Sequence, residues 1–523
     1  MLQHFTPLRA VIVSAILMLI LTTLFYPYGY DQTVFSIGGE MLLRHGAVPF
    51  RDFLDTKPPL IFLIYGIASF LFGHHEWSIR LLDALYHIGS LYYFYRLLVR
   101  TTSNENVAFG SVTMYAALYF VSTFIMVGQV ESFALLPTLI LYDISERTGQ
   151  HSRPIGRGII AGICTTILIA LKPTFIVIPI ASVVYLFLFN RAGSLKGTLL
   201  FLGGSLIGFI FSFGGILLYL NTIGVLPQAG EWLHWVQGYS KISDQSLQEG
   251  SYRIFPIGLM TAFGISTIII GALGGFLVSK FSPRSSTFTH LAIQFTFGCA
   301  TVLLERKYFP YHYIRLYWSA VPFIYIGYRE LSNRWHSSLF SESNIGIVRK
   351  LIIFSGGLII ILYSFIPRVL VHPIHWISAR LSGGDYAADV QIQYPSLVYK
   401  DQVMVSDWLQ PLLQPSDEIY IWGHNVGVYY WLNRYRSPYG IPNAPYVTSW
   451  SPNHWRSELL ASLTKNPPRF FVCEFGDIRT YITGDTLDSY QYLQQWSELN
   501  TFVTQQYLPR QTIGHFQIFE RTK

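Results

Sequence analysis

Apolar runs about as long as a bilayer is thick recur along most of this chain, parted by short segments that carry most of its lysines and arginines. About twenty residues of helix span roughly 30 Å, the depth of the hydrocarbon core. Such runs lie near residues 9–27, 78–99, 106–125, 130–145, 157–172, 174–190, 198–220, 254–278, 288–304, 311–328 and 351–367. Only 12% of the residues are charged, about half the share of a soluble domain. The pattern therefore implies an all-α polytopic membrane bundle. A net charge of +7 could suit nucleic acid, but basic residues confined to short loops are a topology signal rather than a polyanion-binding face. Cys164 and Cys299 fall in apolar runs and Cys473 stands apart, so no disulfide framework or cysteine-rich metal site can be assembled.

One apolar stretch is too short. Residues 60–73 make a helix of about 21 Å, which suits an interfacial or re-entrant segment better than a span. With that stretch not crossing and the N-terminus inside, the inner loops collect Arg96, Arg100, Arg147, Arg153, Arg157, Arg191, Lys196, Lys280, Arg284, Arg329, Arg334, Arg349 and Lys350. Basic residues belong on the cytoplasmic side. The expectation is thus about eleven transmembrane helices, or thirteen, in the plasma (inner) membrane, with a cytoplasmic N-terminus. The sequence Tyr26-Pro27-Tyr28-Gly29-Tyr30 offers no small-residue cleavage site, so the first helix is read as uncleaved. A core over 1–367, with a first outer loop at 28–77, would precede an extracytoplasmic α/β domain over 368–523. In that domain 419–422, 470–473 and 515–519 read as strands, and 399–413 and 453–465 as amphipathic helices.

This topology gathers ionisable residues on one side: Asp31, Asp52, Asp55, Lys57, Glu131, Lys172, Glu305, Arg306, Lys307 and His312 all reach outer helix ends or outer loops. Ionisable groups are costly near a membrane and often mark function there. In the first loop, Val34, Ile37, Gly38, Met41 and Leu42 form one apolar face with Ser36, Glu40 and Arg44 opposite, which predicts an interfacial helix. Gly46 can cap it, Pro49 stops it, and Pro58-Pro59 suit the start of the 60–73 helix.

The stretch from Tyr30-Asp31 through Glu40-Met41-Leu42, His45-Gly46, Lys57-Pro58-Pro59-Leu60, Leu71-Phe72-Gly73 and Glu76-Trp77-Ser78-Ile79-Arg80 resembles the amino-terminal part of membrane glycosyltransferases with a GT-C fold. It is similar in particular to the branch that contains protein O-mannosyltransferases and the aminoarabinose transferases of lipid A, a glycosyltransferase family 39-like pattern. Gly128-Gln129-Val130-Glu131-Ser132-Phe133 and Lys307-Tyr308-Phe309-Pro310-Tyr311-His312-Tyr313 fit it too, so the resemblance covers about residues 10–330. It implies transfer of a sugar from a polyprenyl-phosphate carrier to an acceptor on the outer face, with inversion. Asp31 matches the catalytic acid of the first loop, Glu131 the second acidic position, and Lys57 the lysine that contacts the carrier phosphate. The family often has Asp-Glu at the first site and Glu before the lysine, where this chain has Gln32 and Thr56. Asp55 can substitute for the latter, but the residues fix no cofactor, and a divalent metal stays open.

Inverting transfer needs a base for the acceptor's proton and cations for the departing phosphate. Asp31 and Glu131 are the candidate catalytic carboxylates; a helix cap and a structural ion pair are the competing readings. Asp55, Lys57, Lys172, Arg306, Lys307, Tyr308 and His312 are candidate substrate contacts, against headgroup snorkelling and an aromatic belt. His74-His75 point apart on a helix and do not read as metal ligands. Trp232, His234 and Trp235 read as interfacial anchors rather than an acceptor lid. No P-loop, Rossmann glycine pattern or nucleophile elbow is present, so a nucleotide-sugar donor lacks a visible binding module. The partners expected are a polyprenyl-linked sugar, membrane lipids and a lipid, glycan or protein acceptor, with no nucleic acid. A transporter or flippase for the same lipid, or a non-catalytic membrane subunit, is the alternative. The ionisable residues sit at the outer face rather than at the midplane, which favours the enzyme.

Overall fold

The computed structural model describes residues 6–120, 122–147, 153–189, 195–242, 286–339, 372–435 and 442–522, with short stretches between 255 and 276. The span expected at 351–367, and most of that at 254–278, lie outside the described residues. The chain divides into two compact units: residues 1–26, 80–215 and 251–378 form one, and 27–79, 216–250 and 379–523 the other.

The first unit is helical. Among the described residues, helices Pro7–Phe25, Pro154–Leu171, Leu195–Thr222 and Ser286–Glu305 are long and apolar enough to cross a membrane. Their outward side chains are apolar, with Met18, Leu206, Ile210 and Phe211 well exposed. Exposed side chains of that kind suit lipid rather than water as the solvent. Helices Glu76–Thr102, Glu105–Phe120, Leu135–Glu146 and Ile314–Leu339 also stand where spans were expected. They are less apolar because they bury polar groups such as Asp83, His87, Ser111, Asp143 and Arg315. Small residues set one close contact: a Cβ on Gly158 or Gly162 would overlap the Phe201 or Ser205 carbonyl, and one on Gly204 or Gly208 the Ile155 or Ile159 carbonyl. Glycines four apart on both helices bring the two backbones together, as in other membrane helix pairs.

The second unit contains the first outer loop, helix Leu226–Lys241 and the C-terminal α/β region. Its sheet has strands β1 (Ile419–Trp422), β2 (Phe470–Glu474), β3 (Tyr507–Ile513) and β4 (Phe516–Arg521) in the order β1-β2-β4-β3. β1 and β2 run parallel, with Ile419 opposite Phe470, and the other two pairs are antiparallel. The three expected strands and helices Tyr399–Leu409 and Asn453–Lys465 are all present; β3 was not anticipated. Its burial explains why, since only Tyr507 and Ile513 are inside.

The structure departs from the sequence-based expectation at two places. Helix Tyr30–Arg44 is not an amphipathic helix with a wet polar face, because Ser36 and Glu40 are buried along with Val34, Ile37 and Met41. It packs through Gly38 and Gly39 on Phe62 and Gly66 of helix Pro59–Phe72. The buried Glu40 is compensated by Arg44 at 2.9 Å, by His74 at 3.3 Å and by the Ser69 hydroxyl. Trp232 and Trp235 are not interfacial anchors either. Both join the aromatic core of the C-terminal sheet, with Tyr420, Trp422, Tyr446, Trp455 and Phe471. Trp235 donates its indole N–H to Thr448 Oγ1 at 2.9 Å.

Candidate active site

The candidate residues fall into two groups, one in each unit. In the second unit, helix Tyr30–Arg44 starts without a side-chain cap at Gly29. Gln32 Oε1 accepts the Gly29 N–H at 2.9 Å, so a neutral glutamine does the backbone-capping work that a glutamate would do there. Asp31 is therefore not spent as a cap. It sits in the first helical turn, half-buried, where the helix dipole favours a negative charge. Among the described residues, no group hydrogen-bonds to its carboxylate.

The turn Asp55-Thr56-Lys57 is built to hold its shape. Asp55 Oδ1 accepts the Lys57 N–H at 2.9 Å, and the Lys57 ammonium donates to Thr56 Oγ1 at 3.0 Å. Thr56, at the position where the resembled family carries Glu, thus serves the lysine. The Asp55 carbonyl accepts the Trp232 indole N–H at 2.5 Å, which ties the turn to the aromatic core. Pro58 and Pro59 then begin the next helix, at positions where a missing N–H costs little. Burial pushes the Asp55 carboxyl up to about 6; the Lys57 ammonium opposes this and the Asp31 charge adds to it.

Tyr30 stacks on His424, with ring centroids 3.9 Å apart and planes 6° from parallel. Burial, and then the Arg479 charge, hold the His424 imidazole well below its usual range, so it is a neutral ring at pH 7. His424 follows β1, and its backbone N–H donates to Asp477 after β2 at 3.1 Å. Neither His74 nor His75 belongs to a metal cluster among the described residues. His74 lies between Glu40 and the Tyr430 carbonyl, and Glu76 accepts from Tyr28 N–H, Tyr399 O–H and the Arg380 guanidinium.

In the first unit, Glu131, Lys172 and His312 come together with two residues that the sequence reading did not single out as contacts, Glu305 and Arg315. Lys172 Nζ lies 3.0 Å from Glu131 and 2.8 Å from Glu305. The Arg315 guanidinium reaches Glu131 at 2.5 Å and Glu305 at 2.6 Å, and donates to Thr301 Oγ1 at 3.0 Å. Lys172 owes its position to Pro173, which ends helix Pro154–Leu171 and leaves Lys172 extended. The Glu131 turn is fixed from behind: Tyr119 O–H donates to Asp83 at 2.7 Å and accepts the Gly128 N–H at 3.1 Å, and Arg80 holds the Val127 carbonyl. Arg306 is exposed, whereas Lys307 and Tyr308 are buried. Arg306 and Tyr308 both adopt positive φ, 56° and 44°, a strained conformation for side-chain-bearing residues.

One oxygen or nitrogen each from Glu131, Glu305 and His312 lies within 4.8 Å of the others, a geometry that could hold a metal ion. The donor set does not fit a divalent cation, however. Lys172 and Arg315 already hold Glu131 Oε1 and both Glu305 oxygens, and two cations balance two anions. A metal would have to displace a buried ammonium or guanidinium, which leaves an uncompensated charge.

Residues 56–214 match the family model described as dolichyl-phosphate-mannose-protein mannosyltransferase. No curated protein matches the chain by sequence. Among solved structures, ArnT from Cupriavidus metallidurans bound to undecaprenyl phosphate superposes with a TM-score of 0.63 at 13% identity, over 98% of this chain and 97% of that one. The apo form of ArnT from the same organism gives 0.59 at 14% identity, over the same shares. The resemblance to GT-C glycosyltransferases read from the sequence is borne out by these matches. The fold extends it through the C-terminal region, beyond where the motifs end.

Proposed function

We propose that this chain is an integral-membrane glycosyltransferase that moves a sugar from a polyprenyl-phosphate carrier to an acceptor at the outer face of the plasma membrane. The observation that carries the reading is the Asp31 carboxylate, half-buried and free of hydrogen bonds among the described residues, in the same unit as the Lys57 ammonium. In the step proposed, an acceptor hydroxyl attacks the anomeric carbon as Asp31 takes its proton. The bond from that carbon to the phosphate oxygen breaks, and polyprenyl phosphate leaves against the Lys57 charge. Attack opposite the leaving group inverts the anomeric centre. Asp55, with its carboxyl near neutrality, orients Lys57 and can pass a proton onward from Asp31.

Glu131 is assigned a different role from Asp31. A carboxylate that already accepts from Lys172 and Arg315 is a poor base, so the Glu131–Glu305 cluster sets the positions of its cations and of His312 rather than taking a proton. Lys307, Tyr308 and the exposed Arg306 remain candidates for carrier contacts. The topology proposed with this reading keeps about eleven spans, a cytoplasmic N-terminus, and residues 368–523 on the outer face. The test is donor turnover by purified wild type and Asp31→Asn in proteoliposomes with host membrane extract, read as release of polyprenyl phosphate. Asp31→Asn should lower the rate by roughly a hundredfold or more while binding the carrier as wild type does. An Asp31→Asn rate within about threefold of wild type refutes Asp31 as the base.

A further inference from the structure

Among the described residues of the second unit, Arg44, Arg51, Arg380, Arg469 and Arg510 pair with carboxylates, whereas Arg434, Arg456 and Arg521 donate to backbone carbonyls instead. Arg479 belongs with the latter. Its guanidinium donates to two backbone carbonyls, Ser396 at 2.8 Å and Ile478 at 3.1 Å, and among the described residues no carboxylate pairs with it. Carbonyls orient a guanidinium without cancelling its charge, and a half-buried, oriented fork suits a phosphate or carboxylate.

Its surroundings point the same way. Arg479 acts electrostatically on Tyr30, Tyr481 and His424 and on the buried Glu474, whose carboxyl is held well above its usual range by burial, and Asp31 acts on Tyr30 and Tyr481. The Arg479 cation and the Asp31 anion therefore act on the same two tyrosines. Tyr30 is held flat against His424, and the segments carrying His424 and Arg479 follow the parallel strands β1 and β2. The carboxyl ends of parallel strands are where α/β sheets present their binding loops. Asp477 locks those loops, accepting from the His424 N–H and, at 2.8 Å, from the Ser489 N–H.

We propose that the C-terminal α/β region binds an anionic group of a substrate, a phosphate or a carboxylate, through Arg479, with the stacked Tyr30–His424 pair as the wall beside it. The inference rests on the transferase reading and gives the C-terminal region a part in substrate choice. Lys57 already serves the carrier phosphate in that reading, so the group bound by Arg479 belongs to the acceptor.

The experiment compares wild type, Arg479→Gln and Arg479→Lys in proteoliposomes, using three readouts. These are the amount of membrane extract giving half-maximal donor turnover, the affinity for radiolabelled decaprenyl phosphate, and inhibition by inorganic pyrophosphate. Loss of a charge-assisted contact is worth roughly ten- to a hundredfold. Arg479→Gln should need at least tenfold more extract, with the saturated rate and decaprenyl phosphate affinity within threefold of wild type, and Arg479→Lys should recover part of the loss. A tenfold loss of decaprenyl phosphate affinity instead would keep the anion site and assign its phosphate to the carrier. Pyrophosphate inhibition should weaken in step with either. If all three readouts stay within twofold in both variants, the inference is overturned. Should Arg479→Gln fail to fold, Arg479→Met takes its place, and values within twofold of wild type there refute the site. A wild type that binds decaprenyl phosphate but turns over no donor contradicts the transferase reading. The two binding readouts still test Arg479 in that case.

Discussion

Replacing Asp55 by asparagine should stabilise the protein while impairing it, and the gain should grow with pH. The Asp55 carboxyl is raised from 3.8 to about 6, so ionising it in the folded state costs about 3 kcal/mol at most. Because the folded value is the higher one, the stabilisation of the protonated form is complete below about pH 4 and is lost as pH rises through 6. Asparagine keeps the acceptor for the Lys57 N–H but never ionises. Asp55→Asn should thus exceed wild type by about 1–3 kcal/mol at pH 8 and by about a third of that at pH 4.5, the range allowing for solvent screening of a half-buried group and for the Lys57 attraction that is lost. The assay is the thermal unfolding midpoint of detergent-solubilised protein at one fixed scan rate, from pH 4.5 to 8, beside donor turnover. A midpoint difference that is flat with pH, or a variant less stable than wild type at pH 8, would refute the argument that burial outweighs the ion pair at this site.

Three further outcomes follow from the packing. Trp232→Phe removes the indole N–H that holds the Asp55 carbonyl; it should cost about 1–2 kcal/mol and lower donor turnover, measured by midpoint and rate together. Arg315→Gln leaves Lys172 as the one remaining cation bonded to both Glu131 and Glu305 in a buried site and should destabilise by about 3–5 kcal/mol. Adding Glu305→Gln should recover part of that midpoint loss. Gly162→Val drives a side chain into the Ser205 carbonyl and should reduce the yield of monodisperse protein on size-exclusion chromatography, whereas Gly156→Ala, which meets nothing within 4 Å, should not.

Much of this was legible in the sequence because the physics involved is local. Helix Pro59–Phe72 is bounded by Pro58 and Gly73, and the short apolar run between them reads off directly. Strands β1, β2 and β4 are apolar runs with turn residues around them. The Asp31 and Asp55-Thr56-Lys57 segments announce themselves as charges beside an apolar helix. What was not legible depends on long-range partners. Nothing near Trp232 signals that its ring joins a core some two hundred residues away, and Glu40 looks solvent-facing until Ser69 of the next helix and His74 of the turn after it arrive. Glu305 and Arg315 flank the segment that was read for function, yet only folding opposes them to Glu131 and Lys172. Arg479 could have been noticed as a cation after a buried strand, but that its guanidinium bonds to the Ser396 and Ile478 carbonyls is a property of the fold.

The central claim is transfer rather than transport, and following the label on the donor tests it most directly. Proteoliposomes carrying wild type and a radiolabelled polyprenyl-phosphate sugar would be incubated with host membrane extract, and the label then separated into carrier-bound and other chemical forms. The account predicts that label leaves the carrier and appears in a new product, and that it does neither with Asp31→Asn. Label that changes leaflet but stays on the carrier with both proteins, across several sugars, would contradict it.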